Sequence, residues 1–443
     1  MQIEQQLAEI QSKVADTLKL ALKKGATQAE ASMSKVEGIS VSSRLREVEN
    51  IEFTNDGGLG ISVYVGKHKG SASTADLSME ALALAVEKAV DIARYTSEDP
   101  CTGLADAELI ATEFPDLDLY HPVPLDPQAA IQKAIAAESA ALDFDPRITN
   151  SDGASYNANI GMRVYGNTHG INAGYASSRY SLSCMMIASE NDDMQRDYAY
   201  TVSRDASKLD SPEAVGLEAA KCTVARLGAQ KIKTATVPVL IDKQLASSLF
   251  GHYVGAISGG SLYRRSSFLL DKLGSQVFPE WLNIVERPHI KGGLASSNFD
   301  HEGVATKDMT IVDAGKLSTY LYTSYSARKL NTVTNGHAGG IHNWIISDSG
   351  QSDAELLKTM GTGLYVTEMM GQGVNIVTGD YSRGAAGFWV ENGVIQYPVH
   401  EITIAGTLQE MYANIVAIGA ERDCRGSVST GAVLLEKMKI AGA

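Results

Sequence analysis

Val48-Glu-Asn-Ile-Glu-Phe53, Asn55-Asp56-Gly57-Gly58 and Gly60-Ile-Ser-Val-Tyr-Val65 follow one another near the start of the chain. The two apolar-alternating stretches have the period of half-buried strands, and the cluster between them is rich in turn formers. With a further alternating stretch at 38–45 they predict three strands in an antiparallel meander, turning at 55–58. Outward from this meander the period changes. Ile3, Leu7, Ile10, Val14 and Leu18 recur every three or four residues before Lys23-Lys24-Gly25, which predicts an amphipathic helix over 3–24. Ser78 followed by Leu82, Ala85, Ala89 and Ile92 predicts a capped helix over 78–95.

Pro-containing sequence from 99 to 127 breaks the periodicity. Beyond it an Ala-rich helix is expected over 128–142, then short strands with Asn/Gly turns over 148–205. Ser211-Pro212-Glu213 opens a helix to about Leu227 with N-cap, N1 proline and early acid in order. Residues 231–238 read as a linker, followed by a strand over 237–241 and a helix over 243–257. From 284 onward, glycine turns such as Asp313-Ala-Gly-Lys and Glu391-Asn-Gly-Val separate short strands. The expected organisation is an α+β unit over 1–233, with antiparallel sheet and helices and a sub-boundary near 100–127, then a β-rich unit over 234–443.

The chain has 443 residues, enough for two or three domains at roughly 100–200 residues each. Hydrophobic residues make up 44% and charged ones 20%, the balance of a soluble globular protein. No run approaches the ~20 apolar residues of a bilayer span, and the start lacks a secretory signal pattern, so the cytoplasm is the expected compartment. Cys101, Cys184, Cys222 and Cys424 are scattered, with no CxxC pair. A net charge of −14 opposes phosphate backbones, and Tyr263-Arg264-Arg265 is too short a basic run to offset it.

Ligand-capable residues are sparse. His337-Ala-Gly-Gly-Ile-His342-Asn343-Trp344 is the densest group, and its glycine pair points to a loop whose histidines bond backbone more readily than metal. His252 stands alone on the 243–257 helix. His301-Glu302 begins like HExxH, but Ala305 occupies the second His position. Neither GxGxxG in a strand-to-helix setting nor GxxxxGK[ST] occurs, so nucleotide binding lacks support. The glycine-rich stretch 371–384 suits close backbone approach, as when a peptide joins a sheet edge, with Asp380 and Arg383 as a surface pair or as holders of a peptide end.

Several longer strings resemble one family: Ser40-Val-Ser-Ser-Arg44, Val48-Glu-Asn-Ile-Glu-Phe53, Gly58-Leu-Gly-Ile61, Gly259-Gly-Ser-Leu-Tyr-Arg264, Gly336-His-Ala-Gly-Gly-Ile-His-Asn-Trp344, Gly379-Asp-Tyr-Ser-Arg-Gly-Ala-Ala-Gly-Phe-Trp-Val390 and Met438-Lys-Ile-Ala-Gly442. Over nearly its whole length the chain is similar to the TldD/PmbA family, also called peptidase U62 or modulators of DNA gyrase, and closest to its PmbA/TldE branch. The resemblance implies an α+β N-terminal half, a C-terminal half with a barrel-like antiparallel sheet, and work with a TldD-like subunit as a cytoplasmic metalloprotease on unfolded or modified peptides.

In the TldD branch the zinc helix reads HExxxH, with a later Cys as third ligand. Carried over, the His positions fall on Gly251 and Ala256, the Glu position on His252 and the Cys position on Thr430 in Val428-Ser-Thr-Gly431, with Cys424 nearby. Gly and Ala have no donor atoms, and a neutral hydroxyl is a poor zinc ligand. The resemblance therefore implies no metal in this chain and zinc in the partner, with 336–344 and 371–384 contributing peptide cleft or interface through His337, His342, Asn343, Trp344, Asp380 and Arg383. Two other expectations stand beside it: an autonomous metalloprotease using His337 and His342 with His252 or His301, and a non-enzymatic gyrase-modulating protein. A homodimer is one state open to the isolated chain.

Overall fold

The computed structural model describes residues 2–442. Its first half is one antiparallel sheet of six strands backed by helices. Helix α1 (Gln2–Lys23) leads into β1 (Gln28–Arg44), β2 (Glu47–Val65) and β3 (His68–Thr74), and then α2 (Met79–Tyr95). Helix α3 (Pro127–Leu142) precedes β4 (Ile148–Asn167), β5 (Asn172–Glu190), β6 (Asp193–Ser203) and α4 (Pro212–Ala225). The spatial order is β3-β2-β1-β4-β5-β6. Each amphipathic helix buries its apolar stripe on the sheet. Val14, Leu18, Val86 and Ala89 of α1 and α2 meet Met33, Ile61 and Val63. Ala134, Ala137 and Ala219 of α3 and α4 meet Ile39, Val41, Tyr156 and Leu182. Ser78 caps α2 and Ser211 caps α4, each accepting a bond from the third backbone N–H beyond it, but Ile92 faces solvent instead of sharing the buried stripe.

The expected turn at 55–58 is absent, because those residues lie inside β2. Asn55, Asp56, Gly57 and Gly58 pair with Glu37, Val36, Lys35 and Ser34, so β1 acts as a template that overrides the local turn preference. The chain reverses earlier, at Leu45 and Arg46, both with positive φ (52° and 68°). A buried carboxylate holds this unfavourable turn: Glu138 of α3 accepts from the backbone N–H of Leu45 and Arg46 at 2.8 Å each and from Ser43 Oγ at 3.0 Å. The short strands expected over 148–205 are likewise long, since β4 and β5 run 20 and 19 residues.

The second half contains β7 (Ala235–Ile241), α5 (Lys243–Ile257), α6 (Gly259–Tyr263), β8 (Ile284–Glu286), β9 (Met309–Asp313), β10 (Lys316–Leu317), α7 (Ser324–Lys329) and β11 (Trp344–Ile346). There follow α8 (Asp353–Met360), β12 (Gly363–Met370), β13 (Asp380–Glu391), β14 (Val394–Thr407), α9 (Leu408–Ala413), β15 (Ile415–Ile418), β16 (Val428–Ser429) and β17 (Val433–Ala441). Strands β14-β13-β12-β7-β17 close into a five-stranded barrel because β17 also pairs with β14. The barrel is mixed, with β7 and β12 parallel. A second sheet, β10-β9-β8-β11-β16, lies beside it. The 231–238 segment is no free linker: Gln230 N–H bonds Pro398 O, Lys231 pairs with Glu401, and β7 starts at Ala235. The glycine turns after Asp313 and Glu391 form as expected, with Asn392 and Gly393 at φ 51° and 76°.

Tyr253, Phe278, Trp344 and Tyr412 fill the centre of this half. Tyr253 packs edge-on to Phe278 at 5.0 Å and to Tyr412 at 5.6 Å. The two halves are pinned by Arg226 after α4, which reaches both Asp197 on β6 and Glu368 on β12. Among the described residues no helix is long and apolar enough to cross a membrane.

Candidate functional site

Helix α5 positions the site. Asp242 caps it, accepting from Gln244 N–H at 2.9 Å, while its other carboxylate oxygen accepts from Tyr365 Oη at 2.6 Å. Gln244, Ser247, Ser248, Gly251 and Val254 line a cleft of about 580 Å³. Their spacing of three and four residues is that of one helical face. The opposite stripe, Leu249, Phe250, Tyr253, Ala256 and Ile257, is buried in the aromatic core. The cleft's far wall is the tip Gly339-Gly340-Ile341, and its end is closed by Tyr200 of β6 with Asp423 and Arg425.

Arg425 fixes that end. Its guanidinium lies 4.1 Å from the Tyr200 ring centroid, donates to Tyr200 O at 2.7 Å, and forks onto the Asp423 carboxylate at 2.9 Å through Nε and Nη2. The cleft thus spans both halves of the molecule. None of its lining side chains is a histidine, cysteine or glutamate. It offers hydroxyls, an amide, the open backbone of a glycine loop and one carboxylate, Asp423, already engaged by Arg425.

The three positions carried over from the zinc helix and the one carried over from the later Cys part company here. Gly251 faces the cleft, and a Cβ built on it meets nothing within 4 Å. Ala256 is fully buried, since five residues turn an α-helix by about 140° from Gly251. Thr430 is fully buried too, its Oγ1 donating to Gly431 O and its backbone bridged to Asp423. His252 packs edge-on to Tyr381 with ring centroids 6.1 Å apart, and its Nε2 finds no hydrogen-bond partner among the described residues. Burial, reinforced by the Arg383 charge, lowers its pKa and keeps it neutral. Among the described residues no three His, Cys, Asp or Glu side chains gather as a metal-holding group. Nearby Cys424 is exposed and meets Ser429 Oγ at 3.2 Å. Of these four positions only His252 carries a nitrogen donor, and it stands without a second imidazole, thiol or carboxylate gathered beside it among the described residues.

The histidine-rich stretch does not turn its side chains to the cleft. His337, His342, Asn343 and Trp344 are buried, and only the glycine tip between them is a wall. Their organiser is Glu286 on β8, 1% exposed and unremarked in the sequence. Its Oε2 accepts from Trp344 Nε1 at 2.7 Å and His342 N–H at 3.1 Å, and Oε1 lies 3.0 Å from His337 Nε2, though out of line for a hydrogen bond. Asn335 fixes the other side of His337, its Oδ1 lying 2.9 Å from Nδ1. The His342 imidazole contacts Gly336 O at 3.3 Å, and burial lowers its pKa. Asn343 donates to Arg287 O and Ser296 Oγ and accepts from Ala295 N–H.

Asp300 is a second buried acid that sequence reasoning missed. It accepts from the backbone N–H of Glu302, Val304 and Ala338, and so ties the loop after β8 to the glycine tip. His301 beside it accepts from Arg163 of β4 at 2.9 Å, and its ring fills the space a side chain at Gly339 would need.

Asp380 and Arg383 do not pair. They point to opposite faces of β13, where Asp380 accepts from Thr378 Oγ1 and Arg383 donates to Gly371 O. A larger cavity of about 700 Å³, between Glu30, Tyr64, Lys69, Glu302 and Tyr325, shares no lining residue with the α5 cleft.

Profiles of the PmbA/TldA metallopeptidase family match the chain in three blocks: domain 1 over 29–93, the central domain over 120–227 and the C-terminal domain over 234–442. The chain is 55% identical over 441 residues to metalloprotease PmbA of Escherichia coli O157:H7, covering 100% of this chain and 98% of that one. It is 56% identical over 435 residues to a PmbA homolog of Haemophilus influenzae, covering 98% and 96%. A crystal structure from Bacteroides thetaiotaomicron, described as a candidate modulator of DNA gyrase, superposes with a TM-score of 0.93 at 27% identity, covering 98% and 99%. TldE from Thermococcus kodakarensis shares the fold, with a TM-score of 0.83 at 19% identity, covering 97% and 100%. By sequence and by architecture, the chain belongs to the PmbA/TldD family of metalloproteases.

Proposed function

We propose that this chain is the zinc-free, PmbA/TldE-like subunit of a two-subunit peptidase, acting on unfolded or modified peptides with a TldD-like partner that supplies zinc, its ligands and the general base. The observation that carries the reading is Gly251: the face of α5 that meets the cleft has open space where a ligand side chain would stand, and the nearest imidazole, His252, turns to Tyr381 instead. This chain would contribute the wall, the glycine tip Gly339-Gly340 and the Arg425–Tyr200 clamp, which suit an extended peptide backbone.

A metal site of the chain's own at His337 and His342 is disfavoured, because both imidazoles are buried, His337 with its Nδ1 on Asn335 and His342 with its Nε2 on Gly336 O, and no third donor group gathers with them among the described residues. The four cysteines are free, in keeping with a reducing cytoplasm. The net charge of −14 disfavours direct contact with nucleic acid.

The test is a metal analysis and peptide-cleavage assay on each subunit alone and on the mixture. The expected result is no stoichiometric zinc and no cleavage with this chain alone, and cleavage with both. One zinc per chain in the isolated protein, or chelator-sensitive cleavage by it, overturns the reading.

A further inference from the structure

Strand β2 outruns its outer neighbour. β3 pairs only with Leu59–Val65, which leaves the outer backbone edge of residues 47–56 without a strand partner among the described residues. At about 3.3 Å per residue this free edge is roughly 33 Å long. Every residue from Glu47 to Phe53 is exposed. Its acids, Glu47, Glu49, Glu52 and Asp56, and the bulge opposite Ser42 and Ser43 discourage indiscriminate pairing, but neither lysine nor proline interrupts the edge and among the described residues no helix is laid over it.

Its two faces differ in chemistry. Val41 pairs with Ile51 and Ile39 with Phe53, so the exposed Ile51 and Phe53 continue the apolar face that α3 covers on β1. The register shift between Ser42 and Ser43 inserts Glu49 as an extra residue and returns Val48 to that same face. Phe53, 63% exposed, lies where a further strand would extend the layer. The other face carries Glu47, Glu52 and Asp56, none of which forms an ion pair among the described residues. Glu138 fixes the Leu45-Arg46 turn, so the edge holds its shape before any partner arrives.

We propose that this edge is a docking strand for an extended segment of the TldD-like subunit in which aliphatic residues alternate with Lys or Arg. The pairing would complete the β2 ladder, cover Val48, Ile51 and Phe53 on one face, and neutralise Glu47, Glu52 and Asp56 on the other. A second copy of this chain is the poorer occupant, because antiparallel self-pairing sets one acidic row against another. The inference rests on the two-subunit reading above.

Hydrogen exchange on the full chain, alone and with the TldD-like subunit, tests it together with the triple variant E47K/E52K/D56K and the single variant Phe53→Ser. The expected result is slowed exchange over 47–56 in the complex and association weakened roughly tenfold by the triple variant at low salt. Phe53→Ser weakens association as well, while both variants keep the circular-dichroism melt of the parent. A complex that forms with exchange over 47–56 unchanged, or that binds both folded variants as tightly as the parent, overturns this inference and leaves the two-subunit reading standing. Absence of any complex overturns both. Self-association that protects the same edge overturns the assignment of the occupant.

Discussion

The cleft face of α5 and the Glu286 cluster lie in the same half of the molecule and use polar atoms in opposite ways. Around Glu286 an indole N–H, a backbone N–H and an imidazole converge on one buried carboxylate. Along α5 the position facing the cleft carries no side chain at all, and among the described residues the adjacent His252 Nε2 has neither a hydrogen bond nor a carboxylate beside it, whereas His337 Nε2, also without a hydrogen bond, lies 3.0 Å from Glu286. Side chains able to do chemistry are thus consumed where they are dense, and sparse where the space for a ligand remains. A count of histidines points to the wrong region; whether their atoms are already engaged is the better guide.

The most forceful way to break this contrast is Glu286→Ala. It strips the acceptor from Trp344 Nε1 and His342 N–H at once, and each buried donor left unsatisfied costs about 1–3 kcal/mol. Chemical denaturation should show a loss of that size; a change below about 1 kcal/mol would mean that Glu286 is peripheral. Next come Ala256→His and Gly251→His, which place an imidazole on each of two faces of α5. The first overpacks a filled core and should destabilise by about 1–3 kcal/mol or more, whereas the second points into open space and should stay within roughly 0.5 kcal/mol of the parent. Equal melting temperatures for the two would contradict the divergent faces described for α5.

A smaller effect, of opposite sign, is expected for Gly251→Ala. Nothing obstructs the new methyl, and replacing an interior helix glycine should stabilise by about 0.5–1 kcal/mol. The gentlest probe is acid. Because the folded-state pKa of His252 lies below 6.5, the unfolded chain takes up its proton first, so the stability contribution present above 6.5 is lost as pH falls toward the folded value. Urea midpoints measured from neutral to mildly acid pH should therefore fall more for the parent than for His252→Gln. Parallel curves would show that the neutral imidazole is not held by burial.

Much of the fold could be read from local signals. The span of α5, the capped starts of α2 and α4 and the Asn392-Gly393 turn all follow from residues within a few positions of one another. The Asn55–Gly58 cluster misled because its strand is held straight by β1, a partner that a local window does not weigh. The true reversal at Leu45-Arg46 depends on Glu138, far along the chain, and no nearby residue announces it. The candidate site was legible to the same extent. Gly251, His252 and Ala256 were identifiable by position, but their separate environments depend on helical phase and core packing. Glu286, Asp300, Tyr200 and Arg425 looked like ordinary strand or surface residues, since each finds its partners in distant segments.

The barrel's closing seam carries a consequence for how the molecule is made. β7, the first of the five staves to be synthesised, lies between β12 and β17, so it leaves the ribosome long before either neighbour exists. The N-terminal sheet, whose strands mostly pair with near neighbours in the chain, can mature during translation. The barrel must wait for its last stave, and until β17 arrives β7 remains a sticky ribbon that chaperones would have to shield.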